Sequence, residues 1–198
     1  MIDIALMGRA GSGKDTVARY LVQVYGYRRI AFADPLRSMA LAVDPIISAD
    51  AEVGGAVTRV VRADRLSDVV GRLGWEGAKR HYPEVRRFLQ RLGLEGVREH
   101  LGDDTWVEIA IAEISRIRAD RMPVVVTDVR FRNELDALRR WNFLPVWVER
   151  PGVADSDHAS EAELHPWDAT VVITNDQDPE RLGRRVAEVA RLAQEAAS

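Results

Sequence analysis

The sequence predicts an α/β protein of three layers, a mainly parallel five-stranded sheet with helices on both faces. Short apolar runs rich in β-branched residues alternate with longer stretches of helical period. Those short runs are continuous rather than alternating, as in strands covered on both sides. The first of them, Ile2 to Met7, leads through glycine-rich sequence into a helical stretch, the order of a parallel α/β sheet. At 198 residues, with 46% hydrophobic and 30% charged, the chain has the length and composition of one globular domain able to bury roughly 70% of its unfolded surface.

Each element has its own signal. Lys14 to Tyr25 reads as a helix, with Val17, Ala18, Leu21 and Val24 on one face and Gly26 as its stop. Arg28 to Ala33 is the second strand. Asp34-Pro35 opens the next helix, Asp34 as N-cap and Pro35 in the first turn, running to about Val43. From Asp44 to Ala63 there is no clear period, and Gly54-Gly55 points to a loop or a small hairpin. Helical pattern resumes at Arg65, and again from Pro83 to about Leu101. A further helix begins near Thr105, where Thr105 and Glu108 have capping-box spacing, and ends before Met122-Pro123. Val124 to Val126 is a buried strand, Phe131 to Trp141 a helix and Phe143 to Glu149 a strand. Arg150 to Asp168 is polar and long enough for a lid; Val171 to Thr174 is the last strand, and Pro179 to about Ala193 a closing amphipathic helix. The expected organisation is a single domain: a core over about 1–43 and 122–198, a helical insert over about 44–121, and a lid over about 150–168.

Several function classes are disfavoured. Without cysteine there is no disulfide, thiolate metal site or Cys nucleophile, which suits a reducing cytoplasm. Met1 to Leu6 lacks the basic start of a signal peptide, and no apolar run reaches the ~18 residues of a membrane span. The net charge of −3 argues against a nucleic-acid polymer as partner. Positive charge is nevertheless concentrated: ten basic residues stand against six acidic ones between Gly55 and His100. Arginine forks match phosphate oxygens in pairs, so this block suits an anionic ligand, though a solvated helix face has the same composition.

Gly8-Arg9-Ala10-Gly11-Ser12-Gly13-Lys14 fits the G-x-x-x-x-G-K pattern of a P-loop, between an expected strand and an expected helix. Glycines let backbone N–H groups curl around phosphate, and the positive end of the helix dipole faces the same oxygens. Lys14 would reach the outer phosphates of a nucleoside triphosphate. The hydroxyl residue expected after the lysine is replaced by Asp15, with Thr16 next, so Mg²⁺ would meet Asp15, directly or through water, or Thr16.

P-loop chains divide into phosphotransferases, GTP switches and motors. The only lysines are Lys14 and Lys79, and Lys79 precedes Arg80-His81-Tyr82, so the N-K-x-D guanine reader of switches is impossible here. Asp68-Val69-Val70-Gly71 matches the short D-x-x-G of switches but falls on an expected helix. A small phosphotransferase is the reading left. Asp34 and Asp128 end strands, where a doubly wound sheet places ligands. Asp34 is either a helix cap or a catalytic contact, with Arg37 one turn on. Asp128 is either a metal or substrate acid or half of a structural pair with Arg130. Arg150 and His158 are lid cations, His158 equally an ordinary surface histidine. Trp75 and Trp106 either stack on a base or fill the core.

Gly11-Ser12-Gly13-Lys14-Asp15-Thr16, Ala33-Asp34-Pro35-Leu36-Arg37, Arg86-Arg87-Phe88-Leu89-Gln90-Arg91-Leu92-Gly93, Asp128-Val129-Arg130, Arg150-Pro151-Gly152, His158-Ala159-Ser160-Glu161 and Ile173-Thr174-Asn175-Asp176 occur in that order. Together they resemble the bacteriophage deoxynucleoside monophosphate kinase family, over nearly the whole chain. The resemblance implies a P-loop kinase fold with a helical acceptor-binding insert and a short lid. It implies transfer of the γ-phosphate of ATP, with Mg²⁺, to a deoxynucleoside 5′-monophosphate. By that likeness Gly8 to Thr16 hold the ATP phosphates and Asn175 lies near the adenine. Arg37, Arg87, Gln90, Gly93, Trp106, Asp128, Arg130 and Glu134 match acceptor-binding positions, with Asp34 beside them and Arg65 from a looser stretch. Lys14, Arg37, Asp128, Arg130 and Arg150 become the catalytic candidates, and Arg150, His158 and Glu161 the lid. A homodimer in the cytoplasm, the host's if the chain is phage-encoded, is implied as well. The rival readings are a small-metabolite kinase acting on dephospho-coenzyme A or phosphomevalonate, and a non-enzymatic nucleotide-binding module.

Overall fold

Residues 2–54, 57–152, 163–176 and 178–196 are described by the computed structural model of the chain. In order they form β1 (Ile4–Met7), α1 (Lys14–Tyr25), β2 (Arg28–Ile30), α2 (Ala33–Val43), β3 (Ile46–Gly54), β4 (Val57–Arg65), α3 (Leu66–His81) and α4 (Pro83–Arg91). A π-helical stretch (Leu92–Arg98), α5 (Glu99–Leu101), α6 (Thr105–Ala119), β5 (Val124–Val126), α7 (Arg132–Arg140) and β6 (Leu144–Glu149) follow. A 3₁₀ turn (Pro166–Asp168), β7 (Val171–Thr174) and α8 (Pro179–Glu195) complete the series. Two compact units result, one of 1–32 with 106–198 and one of 33–105.

In the first unit five strands pair in the order β2-β5-β1-β6-β7, and every pairing is parallel. Side chains alternate across each strand, which explains the continuous apolar runs. Ala5, Met7, Val124, Val126 and Trp147 lie in a core with Val107, Ala110, Ile114 and Ile117 of α6 and Leu135 and Leu138 of α7. Ile4, Leu6, Val125, Val146, Val148 and Ile173 lie in another, with Val17, Ala18 and Leu21 of α1 and Leu182, Val186 and Val189 of α8. Helices thus cover both faces of the sheet. Full burial of each such Leu, Ile or Val stabilises by about 1.5–3 kcal/mol before the entropy of ordering is set against it.

The start of β1 is fixed by a buried charge. Asp3 accepts from the Val124 backbone N–H (2.7 Å) and from Arg118 Nε (2.6 Å). Arg118 also donates to the Trp141 carbonyl (2.7 Å), its guanidinium 5.4 Å from the Trp141 and Phe143 ring centres. Nothing in the periodicity of the chain marks Asp3 for this role.

In the second unit β3 and β4 pair antiparallel, so the ambiguous 44–63 stretch resolves as a hairpin, with register shifts between Ile46 and Ser48 and between Asp50 and Ala51. Ile47 packs with Ala40 of α2, Leu66, Val69 and Ala78 of α3, and Val85 and Leu89 of α4. α3 is kinked at Gly74, whose φ of 65° and ψ of 172° are non-helical. The helical run from Pro83 to Leu101 is broken into α, π and α segments. The 4-residue β1 and 3-residue β2 are shorter than the apolar runs that announce them.

Two expectations change. α2 begins at Ala33, so Asp34 lies within the first turn instead of capping it. Thr105 is itself the first residue of α6 and its hydroxyl donates to the Gly102 carbonyl (2.9 Å), so it does not serve as a cap for Glu108 to complete. The two compact units divide at 32/33 and 105/106: α2 shares the core of α3 and α4, whereas α6 packs on the sheet. Asp68 to Gly71, the D-x-x-G look-alike, lies in α3 as its helical period predicts.

Candidate active site

A parallel sheet gathers the ends of its strands on one edge. Across β5, β1, β6 and β7 the carboxyl ends lead to Asp128, Gly8, Arg150 and Asn175, spanning about 15 Å at the usual strand spacing. β1 is the switch point, since the chain moves from it toward β2 on one side and later toward β7 on the other.

Gly8 to Gly13 form the loop between β1 and α1. At Gly8 the backbone has φ 138° and a Cβ would lie 2.1 Å from the Val148 carbonyl oxygen. At Gly13 φ is 103°, and a Cβ would lie 2.2 Å from Asn175 Nδ2. Neither position tolerates a side chain, by conformation or by space. The Asn175 amide donates to the Ser12 carbonyl (2.9 Å), while its backbone N–H donates to the Glu149 carbonyl (2.8 Å). Asn175 therefore ties β7 and β6 to the loop as well as flanking it. Lys14 Nζ donates to the Gly8 carbonyl (2.6 Å) and the Arg9 carbonyl (2.9 Å), spanning the loop that its own helix closes. Ser12 Oγ is buried without a hydrogen-bond partner among the described residues. A buried hydroxyl of this kind costs stability until something fills its hydrogen-bonding capacity, and a phosphate oxygen is a suitable occupant of such a loop.

Around the loop, Arg150 Nη1 reaches the Gly11 carbonyl at 3.5 Å, a long contact that brings this cation to the phosphate loop. The Arg9 guanidinium lies 5.9 Å from the Trp147 ring centre. Thr174 donates to Glu149 Oε1 (2.8 Å), and Arg185 donates to the Thr174 carbonyl. Asp15 is exposed and Thr16 half-buried in the first turn of α1. Their oxygens are hard donors of the type Mg²⁺ takes. Among the described residues no group of three or more His, Asp or Glu side chains gathers to cage an ion. The donor set fits an ion bound chiefly through nucleotide phosphates, with Asp15 or Thr16 completing its shell.

At the end of β5, Asp128 Oδ1 accepts from the Phe32 N–H (2.8 Å), joining the ends of β2 and β5. Arg130 is exposed and takes part in no ion pair among the described residues. Its backbone is held by Glu134, which is 3% exposed and whose Oε2 accepts from the Arg130 N–H (2.9 Å) and the Phe131 N–H (3.1 Å) at the start of α7. Glu134 is thus an anchor at the start of α7 that holds the Arg130 backbone. Trp106 is 4% exposed, in keeping with packing.

Asp34, Arg37, Arg65, Arg87, Gln90 and Gly93 belong to the helical unit. Arg37 contacts Asp34 Oδ1 (3.6 Å) and Glu76 Oε1 (3.9 Å) and lies 5.8 Å from the Trp75 ring centre. Arg65 donates to the Asp44 carbonyl (2.8 Å), a role in the hairpin base. Arg87 pairs with Glu84 (3.1 Å) and lines a groove of about 720 Å³ with Ile46, Phe88 and Arg91. Gln90 is exposed on α4, and Gly93 is buried where a Cβ would lie 3.2 Å from Leu36. Gly93 thus packs the π-helical stretch closely on α2, and a side chain there would require Leu36 to shift. His158 and Glu161, with most of the expected lid, lie outside the described residues. Sequence reasoning missed Ser12 as an orphaned hydroxyl, Trp147 beneath Arg9, and the Glu76–Lys79 pair. Only Lys79 carried a signal, as one of two lysines among 28 basic residues.

A family model described as deoxynucleotide monophosphate kinase matches residues 74–186. Over 174 residues the chain is 30% identical to a protein of Acanthamoeba polyphaga mimivirus named as a candidate deoxynucleotide monophosphate kinase, covering 83% of this chain and 82% of that one. It is 28% identical over 213 residues to the deoxynucleoside-5′-monophosphate kinase of Escherichia phage T5, covering 81% and 84%. Among solved structures, a gluconokinase from Sinorhizobium meliloti aligns over 99% of this chain and 95% of its own, at 20% identity and a TM-score of 0.46. With a family model over more than half of its length and a relative matched along most of both chains, the protein belongs to the deoxynucleotide monophosphate kinase family of phosphotransferases.

Proposed function

We propose that the protein transfers the γ-phosphate of ATP to a deoxynucleoside 5′-monophosphate, giving the diphosphate and ADP, with Mg²⁺ as cofactor. The observation that carries this reading is the loop of Gly8 to Lys14, with its lysine drawn across two loop carbonyls and Arg150 and Asn175 beside it. An acceptor phosphate with a second pKa near 6 is already largely dianionic at pH 7, so attack needs no strong general base. The difficulty is the mutual repulsion of two anions, and it is met by fixed cations. In this reading Lys14 takes the outer ATP phosphates, exchanging its loop carbonyls for them. Arg130, held by Glu134 and without an ion-pair partner among the described residues, meets charge developing on the transferring group. Arg150 supports the loop side of the donor. Asp128 fixes the strand ends instead of acting as a base, since its carboxylate already accepts the Phe32 N–H. Mg²⁺, when bound, neutralises charge on the donor phosphates.

The test is ADP release with Mg²⁺-ATP against dAMP, dGMP, dCMP, dTMP and their ribo counterparts, with dephospho-coenzyme A and phosphomevalonate alongside and Lys14→Ala as the blank. Turnover with at least one deoxynucleotide, absent from the blank, is expected. Turnover with a metabolite alone moves the chain to the small-metabolite kinases. ATP binding with no acceptor turned over makes it a nucleotide-binding module.

A further inference from the structure

The helical unit contains a cationic cluster that the phosphate loop does not use. Glu76, in the segment of α3 that follows the Gly74 kink, accepts from Lys79 Nζ (2.8 Å) and faces Arg37 Nη2 of α2 (3.9 Å). The exposures are inverted from those of an ordinary surface pair. The Lys79 and Arg37 side chains are only 22% and 26% exposed, whereas Glu76 is 74% exposed. Trp75 lies against Arg37, 5.8 Å from ring centre to guanidinium, and limits its movement. Lys79, Arg37 and, from α4, Arg86 together hold the Glu76 carboxyl below the usual carboxylate range, the Lys79 hydrogen bond contributing most. Lys79 and Arg37 are thus the half-buried partners, Arg86 is exposed, and the exposed carboxylate is the part that can swing away. Lys79 is also a lysine in a chain that otherwise uses arginine everywhere except at Lys14. A lysine provides a compact point charge for phosphate where an arginine provides a planar fork.

Resting on the acceptor reading above, we propose that Lys79 and Arg37 form an anchoring site for the acceptor's phosphate, and that Glu76 is a built-in carboxylate occupying it until the acceptor displaces it. Glu76 then acts against ground-state binding, weakening the hold on any anion that cannot compete with it. A phosphate dianion, with more charge and more acceptor oxygens than a carboxylate, is the anion that wins.

A structural ion pair and a gated phosphate site make opposite predictions for Glu76. In a structural pair, removing either partner costs the same interaction. In a gated site, removing the carboxylate frees the cations. The probe is 2-deoxyribose 5-phosphate, which carries no base, titrated into the full chain and followed by ligand-observed NMR, with 2-deoxyribose as the control. The titration uses the Lys14→Ala background, so that the phosphate loop does not account for the signal. Glu76→Gln is expected to tighten binding about threefold or more, and Lys79→Gln to weaken it about tenfold, with Lys79→Arg close to the parent. Circular dichroism and Tm verify folding of each variant. Equal weakening by Glu76→Gln and Lys79→Gln, or no change in either folded variant, overturns the proposal. Absence of acceptor-dependent turnover in the parent, with this binding pattern intact, overturns the proposed reaction and leaves the anion site standing.

Discussion

Arg130 and Lys14 are both cations on the edge of the sheet, yet they have different freedom. Lys14 is half-buried and hydrogen-bonded to the loop it serves, whereas Arg130 is exposed with only its backbone secured by Glu134. On the proposed reaction, a side chain so placed serves charge that appears during transfer more than it holds ATP. Replacing Arg130 by alanine is therefore expected to lower kcat by about a hundredfold or more, in line with loss of one donor to transition-state charge, while the Kd for ATP stays within about threefold. Turnover and ATP calorimetry on the same preparation check it, and equal losses in both would reassign Arg130 to the donor site. The loop around Lys14 was legible because its glycines have no substitute: Gly8 and Gly13 sit where a Cβ meets a carbonyl or an amide. Glu134 was legible only through family likeness, and its direct task, accepting two N–H groups at a helix start, cannot be seen in a periodicity that treats it as one more charged residue.

At the scale of elements, the 3₁₀ turn of Pro166–Asp168 is bound to α7 from both ends. Arg132 donates to Asp168 Oδ1 (2.7 Å) and Arg139 to the Asp168 carbonyl (2.7 Å), while Asp168 Oδ2 accepts the His165 N–H (2.9 Å). The Arg132 hydrogen bond holds the Asp168 carboxyl below its ordinary range. A depressed carboxylate contributes stability that is complete above its unfolded pKa and disappears as pH falls through the folded value. Asp168→Asn is accordingly expected to cost about 1 kcal/mol at pH 7, the modest size set by the partly exposed arginine. In thermal melts the gap between the two proteins should close as the pH is taken below the ordinary carboxylate range. A gap that persists unchanged in acid would show that shape, not charge, holds the turn. The strands around this turn could be read from their apolar runs because both faces are covered. The hairpin of β3 and β4 could not, since its register shifts and mixed polar composition blur the two-residue period. The α2 start differs by one residue because Asp-Pro is a good opening for a helix, and a helix end is set within a residue or two by its local hydrogen bonds.

For the whole molecule, the two compact units divide the chemistry. The sheet unit has the phosphate loop with Asp128, Arg130, Arg150 and Asn175, and the helical unit has Arg37, Lys79 and Arg86. The basic excess between Gly55 and His100 falls within the helical unit, where it looked like a solvated face or an anion site. Two of its ion pairs, Arg87 with Glu84 and Arg91 with Glu95, are open to solvent on both sides. Such pairs contribute about 0–1 kcal/mol each and add little to folding. At Glu76, by contrast, the cations Arg37 and Lys79 are half-buried, a distinction that depends on tertiary packing and is absent from charge counts.

Phosphoryl transfer between nucleotides is tested most directly by the fate of the terminal phosphorus. With [γ-³²P]ATP, Mg²⁺ and a mixture of the four deoxynucleoside monophosphates, separation of products should find label in deoxynucleoside diphosphate, one for each ADP formed, and none with Lys14→Ala. Label released as inorganic phosphate at the same rate with or without the monophosphates would contradict the account.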